Sequence, residues 1–108
     1  MEWLREIQEC FEAAAVFYTR HARLEMKAEQ SGRIFDHEVY EAVRNGEVIE
    51  DYPDDKPYPS ILILGRTLAD RPLHIVCAFN GEGNQAIVIT VYQPDPELWD
   101  GLKRRRKS

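Results

Sequence analysis

The chain has few of the residues that bind metals or form disulfides. Its 108 residues include two cysteines and three histidines, and neither set has the close spacing that is typical of a zinc site. Cys10 and Cys77 lie in different predicted elements, and a disulfide between them is not expected in a reducing compartment. We therefore expect no metal and no cofactor.

Long apolar runs and a basic leader are also missing. No stretch approaches eighteen consecutive apolar residues, so no helix is predicted to span a membrane. Residues 1–6 are acidic and amphipathic, unlike a signal peptide. We expect a cytoplasmic protein with no membrane partner. The apolar fraction of 44% is that of a folded chain, and the length is enough for one core and too short for two.

Basic residues are scarce outside the last positions. Residues 103–107 hold five of the fourteen basic side chains, which leaves nine basic against nineteen acidic ones in residues 1–102, a net charge of −10. We predict one domain over residues 1–102 and a basic C-terminal tail over residues 103–108. The tail is either a solvated end that folding does not need, or a segment that binds phosphate, the acidic body or a partner.

Apolar spacing predicts helices in the first half of the chain. Apolar residues recur at helical spacing over residues 2–14. A second helix is predicted from Thr19, as its N-cap, to about Gly32, and a third from Asp36, as its N-cap, to Asn45. Residues 15–18 fit either the last turn of the first helix or a brief strand.

After Gly46 the apolar period becomes that of strands. Strands are predicted over residues 47–52, 60–67, 73–80 and 85–92, with connections short enough for hairpins. Trp99 is expected to lie against the sheet. The last three strands should form an antiparallel meander that largely buries Leu62, Leu64, Ile75, Cys77, Ile87 and Ile89. The predicted fold is α+β, with two or three N-terminal helices packed on a four-stranded, mostly antiparallel sheet.

A histidine lies in the middle of one of these strands. His74 is surrounded in sequence by apolar residues, and an imidazole is costly to bury without a partner. It is therefore either a core histidine satisfied by a local hydrogen bond or part of a site.

The length of the loop after this strand decides what His74 faces. A regular four-residue loop over residues 81–84 would pair His74 with Val91, whereas a bulged loop of odd length would bring it beside Thr90 or Tyr92. The glycines of this loop favour the bulge. We expect His74 to share a face with Thr90 and Tyr92, and His21 to approach that face.

These polar side chains could form an acid–base site. Two histidines can divide the roles of base and acid near neutral pH, and an arginine fork with a hydroxyl can hold phosphate. Such a set can cleave RNA through its own 2′-hydroxyl without a metal. Each residue also has a structural interpretation, as a solvated charge or a strand residue. The candidates are His21, His74 and Tyr92 for catalysis and Arg23, Arg66 and Thr90 for phosphate binding.

Several short motifs carry a family resemblance. They are His21-Ala22, the run from Asn45-Gly46 to Pro53, Pro57–Ser60, Leu64-Gly65, Pro72–Val76 and Thr90–Pro96. Together, over residues 17–105, they resemble a prokaryotic family catalogued as the domain of unknown function 4258 family. The resemblance implies a RelE-like fold related to the barnase, EndoU, colicin D and RelE ribonucleases. It also implies the toxin side of a toxin–antitoxin pair, beside a zinc-finger antitoxin protein of the MqsA type.

One departure from the family pattern concerns the helix that carries His21. Many members have arginine in the turn after the His-Ala pair, where this chain has Glu25 and Met26, and a carboxylate repels phosphate. Two functions therefore stay open. One is a metal-independent ribonuclease of a toxin–antitoxin pair, with RNA and the antitoxin as partners. The other is a non-catalytic module that binds a protein or a small ligand on the same fold.

Overall fold

A computed structural model describes residues 3–107, and the predicted helix residue 2 and tail residue 108 lie outside this range. Three helices are followed by strands, with one short strand among the helices. The elements in chain order are α1 Trp3–Glu12, β1 Val16–Tyr18, α2 Arg20–Ala28, α3 Asp36–Arg44, β2 Glu47–Tyr52, β3 Ser60–Arg66, β4 Pro72–Asn80, β5 Gln85–Tyr92, β6 Trp99–Asp100 and β7 Arg104–Arg105.

The main sheet has five strands, in the order β1-β5-β4-β3-β2. Strands β2 to β5 form the predicted antiparallel meander. The prediction of four strands was wrong, because β1 adds a fifth strand parallel to β5. Helix α1 ends where Ala14 takes a φ of 57°, a left-handed conformation that stops a helix, and the next residues extend along the edge of β5.

The ends of α2 and α3 are set by side chains. Thr19 caps α2 as predicted, since its Oγ1 accepts the N–H of Ala22 at 3.1 Å. The helix stops at Ala28 rather than near Gly32, because the chain turns at Glu29. Phe35, not Asp36, is the N-cap of α3, and its N–H donates to the Glu38 carboxylate at 3.0 Å.

The three helices cover one face of the sheet. The core between them contains Ile7, Phe11, Met26, Val39, Ile61, Ile63, Leu73, Ile75, Cys77, Val88 and Val91. Of the six strand residues predicted to be largely buried, Leu62, Leu64, Ile75 and Cys77 are buried. Ile87 and Ile89 are only half-buried. Ile87 pairs with Ala78 on the face away from the helices, and Ile89 is the extra residue of a β-bulge.

Helix α3 packs very closely on β3. A Cβ atom on Gly65 would lie 1.8 Å from the Ala42 carbonyl oxygen, and one on Gly46 would lie 2.4 Å from a methyl of Ile63. Both distances are shorter than any tolerated contact, so only glycine allows this approach. The Asn-Gly and Leu-Gly motifs of the sequence are therefore explained by packing.

The second face of the sheet is covered by the C-terminal segment. Strands β6 and β7 form a small hairpin, and Trp99 is buried, as expected. The basic residues predicted as a tail are held to the acidic body. Lys103 pairs with Glu47 at 3.1 Å, and Arg105 pairs with Glu50 at 3.1 Å. Among the alternatives stated for this segment, the structure shows ion pairs with the acidic body. We call residues 99–107 the basic strap.

The contact between α3 and β3 makes Gly65 irreplaceable. Gly65→Ala should lower the free energy of unfolding by about 2 kcal/mol or more, since the methyl group overlaps backbone atoms that cannot yield without moving the helix. Urea denaturation measures this change. Gly81→Ala is the matched control, because its Cβ would meet only a Phe79 ring carbon at 3.5 Å and stability should change little. Equal stability of both variants would contradict the packing argument.

Candidate functional site

His74 faces Tyr92 across the β4–β5 pair, as predicted. His74 is the register partner of Tyr92, and Val76 is that of Thr90, so all four side chains share one face. The predicted cause was wrong. Asn80 pairs with Gln85 across an ordinary four-residue loop, and the register shifts further along, between Val76 and Cys77. The bulge lies inside the strand rather than in its loop.

Thr19 binds the strand at this bulge. Its N–H donates to the Val88 carbonyl at 3.0 Å, and its hydroxyl donates to the Ile89 carbonyl at 3.3 Å. The same hydroxyl caps α2 by accepting the N–H of Ala22. One side chain therefore joins the end of β1, the bulge and the start of α2.

His74 is fully buried, with 0% of its surface exposed. Its Nε2 lies 2.6 Å from the Leu102 carbonyl oxygen and its Nδ1 lies 3.1 Å from the Tyr92 hydroxyl. Since a carbonyl only accepts, Nε2 carries the proton and Nδ1 accepts from Tyr92. The Trp99 ring meets the imidazole edge-on, 4.4 Å between centroids. Burial lowers the pKa of His74, although the bond to Leu102 opposes this, and the ring is neutral at neutral pH.

Tyr92 is fixed as a hydrogen-bond donor. Burial is the main cause that raises its pKa to about 12, so the phenol keeps its proton across the physiological range. The phenol therefore donates to Nδ1 of the neutral His74 ring, and the two rings also meet edge-on at 5.2 Å. Thr90 lies half-buried on the same face, two residues before Tyr92 in β5.

An acidic group that the sequence analysis missed lies on this face. Glu50 is the partner of Leu62, and its carboxylate accepts from the Tyr52 hydroxyl and from Arg105. Burial acts to raise the pKa of Glu50, but these hydrogen bonds outweigh it, and the pKa is lowered. The Arg105 guanidinium lies 4.7 Å from the Trp99 ring centroid. A continuous set of contacts therefore joins Glu50 to His74.

The charged strand β2 lies at an edge of the sheet, where charged side chains are common. Its charges also follow a second pattern. A register shift between Val48 and Glu50 places both Glu47 and Glu50 on the face of His74. The signal in the sequence was the pair of carboxylates three residues apart in β2 and the cations at 103 and 105.

The structure does not bring His21 and Arg23 into this set. His21 is exposed on α2, with its Nε2 3.4 Å from Glu25. Arg23 forms a two-pronged pair with Asp36 and lies 4.0 Å from the centre of the Tyr18 ring. Both side chains belong to the helix along the edge of β5, whereas His74 lies under the basic strap.

Helix α2 uses carboxylates to satisfy the free edge of β5. Glu25 accepts the N–H of Val91 at 2.9 Å, and Glu29 accepts the N–H of Gln93 at 3.1 Å. Glu25, which departs from the family pattern, therefore has a structural role. With Asp95, the two glutamates line a groove beside α2, and three carboxylates make this groove unfavourable for phosphate.

Arg66 lies apart from the other candidates, at the end of β3. Its guanidinium donates to the Asp70 carbonyl and lies 3.4 Å from the Asp70 carboxylate. Its backbone is held on both sides by the amide of Asn45, which accepts the N–H of Arg66 and donates to its carbonyl. Arg66 is exposed, so its free edge can still bind an anion.

Neither a metal cluster nor a membrane-spanning helix is found in residues 3–107. No three His, Cys, Asp or Glu side chains in that range converge as metal ligands would. Within the same residues, no helix is both long and apolar enough to cross a bilayer.

The fold and this face define an α+β protein with a mixed five-stranded sheet and a buried His–Tyr pair. The sequence profile of a domain of unknown function, the 4258 family, matches residues 18–93. That is more than half of the chain, and the protein belongs to this family. No curated protein and no solved structure gives a significant match.

The buried imidazole should make stability depend on pH. Because the pKa of His74 is lowered from 6.5 in the folded state, the unfolded chain takes up a proton there first as the pH falls. The contribution of His74 to the free energy of unfolding is therefore present above pH 6.5. It is lost as the pH falls below that value, by at most about 1.4 kcal/mol per pH unit. His74→Gln should remove this component when urea denaturation is compared at pH 7 and pH 5. Parallel losses in both proteins would show that His74 does not cause the dependence.

The basic strap should contribute to folding. Deleting residues 103–108 removes the Arg105–Trp99 contact and both ion pairs with β2, and should lower the free energy of unfolding by about 1–2 kcal/mol. Thermal denaturation measures the change. A shorter deletion of residues 107–108 is the control, since the described residue of that pair, Lys107, is exposed. If the variant with the longer deletion were as stable as the parent protein, residues 103–108 would not contribute to folding, as expected of a solvated tail.

Proposed function

We propose that this protein is a metal-independent endoribonuclease with a RelE-like fold, and that the face with His74, Tyr92 and Glu50 is its active face. The observation that supports this is the convergence of an imidazole, a phenol, an ionised carboxylate and a guanidinium on one side of the sheet. The toxin role and the zinc-finger antitoxin partner, which the family resemblance implies, belong to the same proposal, as does the cytoplasmic location expected from the sequence.

We assign the role of base to Glu50 and the role of acid to His74. Its pKa is lowered, so it is ionised at neutral pH and can take the proton of the RNA 2′-hydroxyl. The 2′-oxygen then attacks the phosphorus, and the bond from phosphorus to the 5′-oxygen breaks. The products are a 2′,3′-cyclic phosphate and a 5′-hydroxyl end.

His74 would supply the proton that the leaving 5′-oxygen needs. Under the strap it is neutral, because burial lowers its pKa. Exposure to water and loss of the nearby Arg105 would raise that pKa by more than loss of the bond to Leu102 would lower it, since burial is the largest cause of the shift, and the charged acid could then form. Tyr92 holds the Nδ1 side of the ring, and the Thr90 hydroxyl on the same face can orient a phosphate oxygen. In this scheme Glu50 replaces His21 as the partner of His74.

A second function is favoured by the closed state of the face. Both ring nitrogens of His74 are hydrogen-bonded, and Trp99 and Leu102 cover the ring. A non-catalytic module would need His74 only to hold the strap, and it would bind its protein or small ligand elsewhere. The two functions differ in whether any RNA is cut.

Cleavage of a mixed-sequence RNA in the presence of EDTA tests the proposal. We expect cleavage to persist in EDTA, to leave cyclic-phosphate ends, and to fall at least 100-fold in Glu50→Gln and in His74→Gln, which is the usual size of a lost acid or base. His37→Gln is the matched control, because His37 is an exposed histidine on α3, and its activity should equal that of the parent.

The variants separate catalysis from folding. Gln at either position keeps the shape and part of the hydrogen bonding, and urea denaturation shows whether each variant is folded. Folded parent protein that leaves RNA intact, in low salt and with the strap deleted, would favour the non-catalytic module. Cleavage that survives in folded His74→Gln would remove His74 from the mechanism.

A further inference from the structure

The basic strap divides its cations between two sides. Arg105 faces inward to Glu50 and Trp99, and Lys103 reaches Glu47. Arg104 precedes Arg105 in β7 and Arg106 follows that strand, and both are exposed together with Lys107. The Arg106 Nε donates to the Pro96 carbonyl at 3.0 Å. Within residues 3–107, no carboxylate lies at ion-pair distance from these three. Together with Arg105 and one acidic residue, Asp100, they line a shallow cleft.

These three cations are unusual on this protein. The body of residues 1–102 has a net charge of −10 and repels a polyanion over most of its surface. In the basic strap, positive side chains outnumber negative ones. The planar guanidinium group of arginine can donate two hydrogen bonds to phosphate oxygens, which a lysine ammonium does not do in the same geometry. An anionic chain would therefore be attracted first to the outer side of the strap.

We propose that the basic strap is an RNA-responsive cover of the active face. Its outer cations, Arg104, Arg106 and Lys107, bind the phosphate backbone of RNA. Lys103 and Arg105 then exchange their carboxylate partners for phosphates, and the strap withdraws Trp99 and Leu102 from His74. This inference rests on the proposed function, since it names how RNA reaches the face that would cut it.

The contacts that hold the strap are suited to exchange. Its two strands have two residues each. The side chains of Lys103 and Glu47 are 57% and 55% exposed, and that of Arg105 is 65% exposed, so these ion pairs are screened by salt and weak. Each phosphate of an RNA backbone carries one negative charge, as a carboxylate does, and can therefore replace Glu47 or Glu50 as the partner of these cations. The inner contacts of Trp99 and Leu102 oppose release, which keeps the face covered when RNA is absent.

Trp99 is a direct reporter of this movement. The protein has two tryptophans, and Trp3→Phe leaves Trp99 alone while keeping an aromatic ring beside Phe79. In that background, single-stranded DNA serves as an RNA analogue that cannot be cut, because it lacks the 2′-hydroxyl. We expect both DNA and RNA oligonucleotides to shift the Trp99 emission to longer wavelength as the ring leaves its buried place.

Charge-neutral variants test the outer cations. Arg104→Gln with Arg106→Gln should reduce the slope of log affinity against log salt by about 1.4, since each lost phosphate contact on a single strand accounts for about 0.7. Arg5→Gln with Arg20→Gln is the matched control. It removes the same charge from two exposed arginines of the helices and should leave the slope unchanged.

The outcomes for the cover and for catalysis are distinguishable. Binding of DNA with a shift of Trp99 emission, but no cleavage of RNA, would support the cover and remove the proposed enzyme. Cleavage of RNA without a Trp99 shift would support the enzyme and overturn the cover. Equal slopes for the two arginine pairs would overturn the phosphate-binding surface. If polyglutamate, a polyanion without phosphate, shifted the Trp99 emission equally, the assignment of RNA as the ligand would be overturned.

Discussion

The extra residue in β5 determines the chemistry of both faces of the sheet. Ile89 has no partner in β4, and after it the side chains of β5 are shifted by one position. Without this bulge, His74 would pair with Val91, and Tyr92 would point toward the helices. The buried imidazole would then lose the phenol that donates to its Nδ1. Thr19 holds the bulge, because it binds the carbonyls of Val88 and Ile89 while it starts α2.

The second face makes a further demand on the chain. Leu62 and Leu64 are buried there beside His74, while the helices occupy the other face. Residues after β5 cover it with Trp99 and Leu102. The same segment carries Lys103 and Arg105, so the carboxylates of β2 hold it in place. The uneven charge of the sequence is thus partly neutralised within the fold.

Much of this arrangement is predictable from local pattern. The meander, the three helices and the cap at Thr19 follow from period and capping. The shared face of His74 and Tyr92 was predicted for the wrong reason, because parity with the observed four-residue loop would pair His74 with Val91. The parallel strand β1 does not follow from period, because three residues show none. The bulge at Ile89 has no glycine to mark it. Glu50 is also hidden, since its meaning depends on Arg105, which is 55 residues away and meets it only through the fold.

The residues of the family motifs now separate into two groups. Gly46 and Gly65 are required by the contact of α3 with β3, and Ala22 is buried in the core, so packing accounts for all three. His74 is different. An apolar side chain of similar volume would cover the sheet without the cost of burying two polar nitrogens, and a satisfied polar network in a core is often no more stable than an apolar one.

Stability alone therefore does not require a histidine at position 74, nor a phenol and a carboxylate on the same face. What these groups share is the ability to accept and release protons once water reaches them. The strap that satisfies His74 through the Leu102 carbonyl also places Trp99 against its ring, and burial lowers the pKa of the imidazole. Covering this face therefore favours the neutral ring, and exposure to water would raise its pKa toward the ordinary value of histidine.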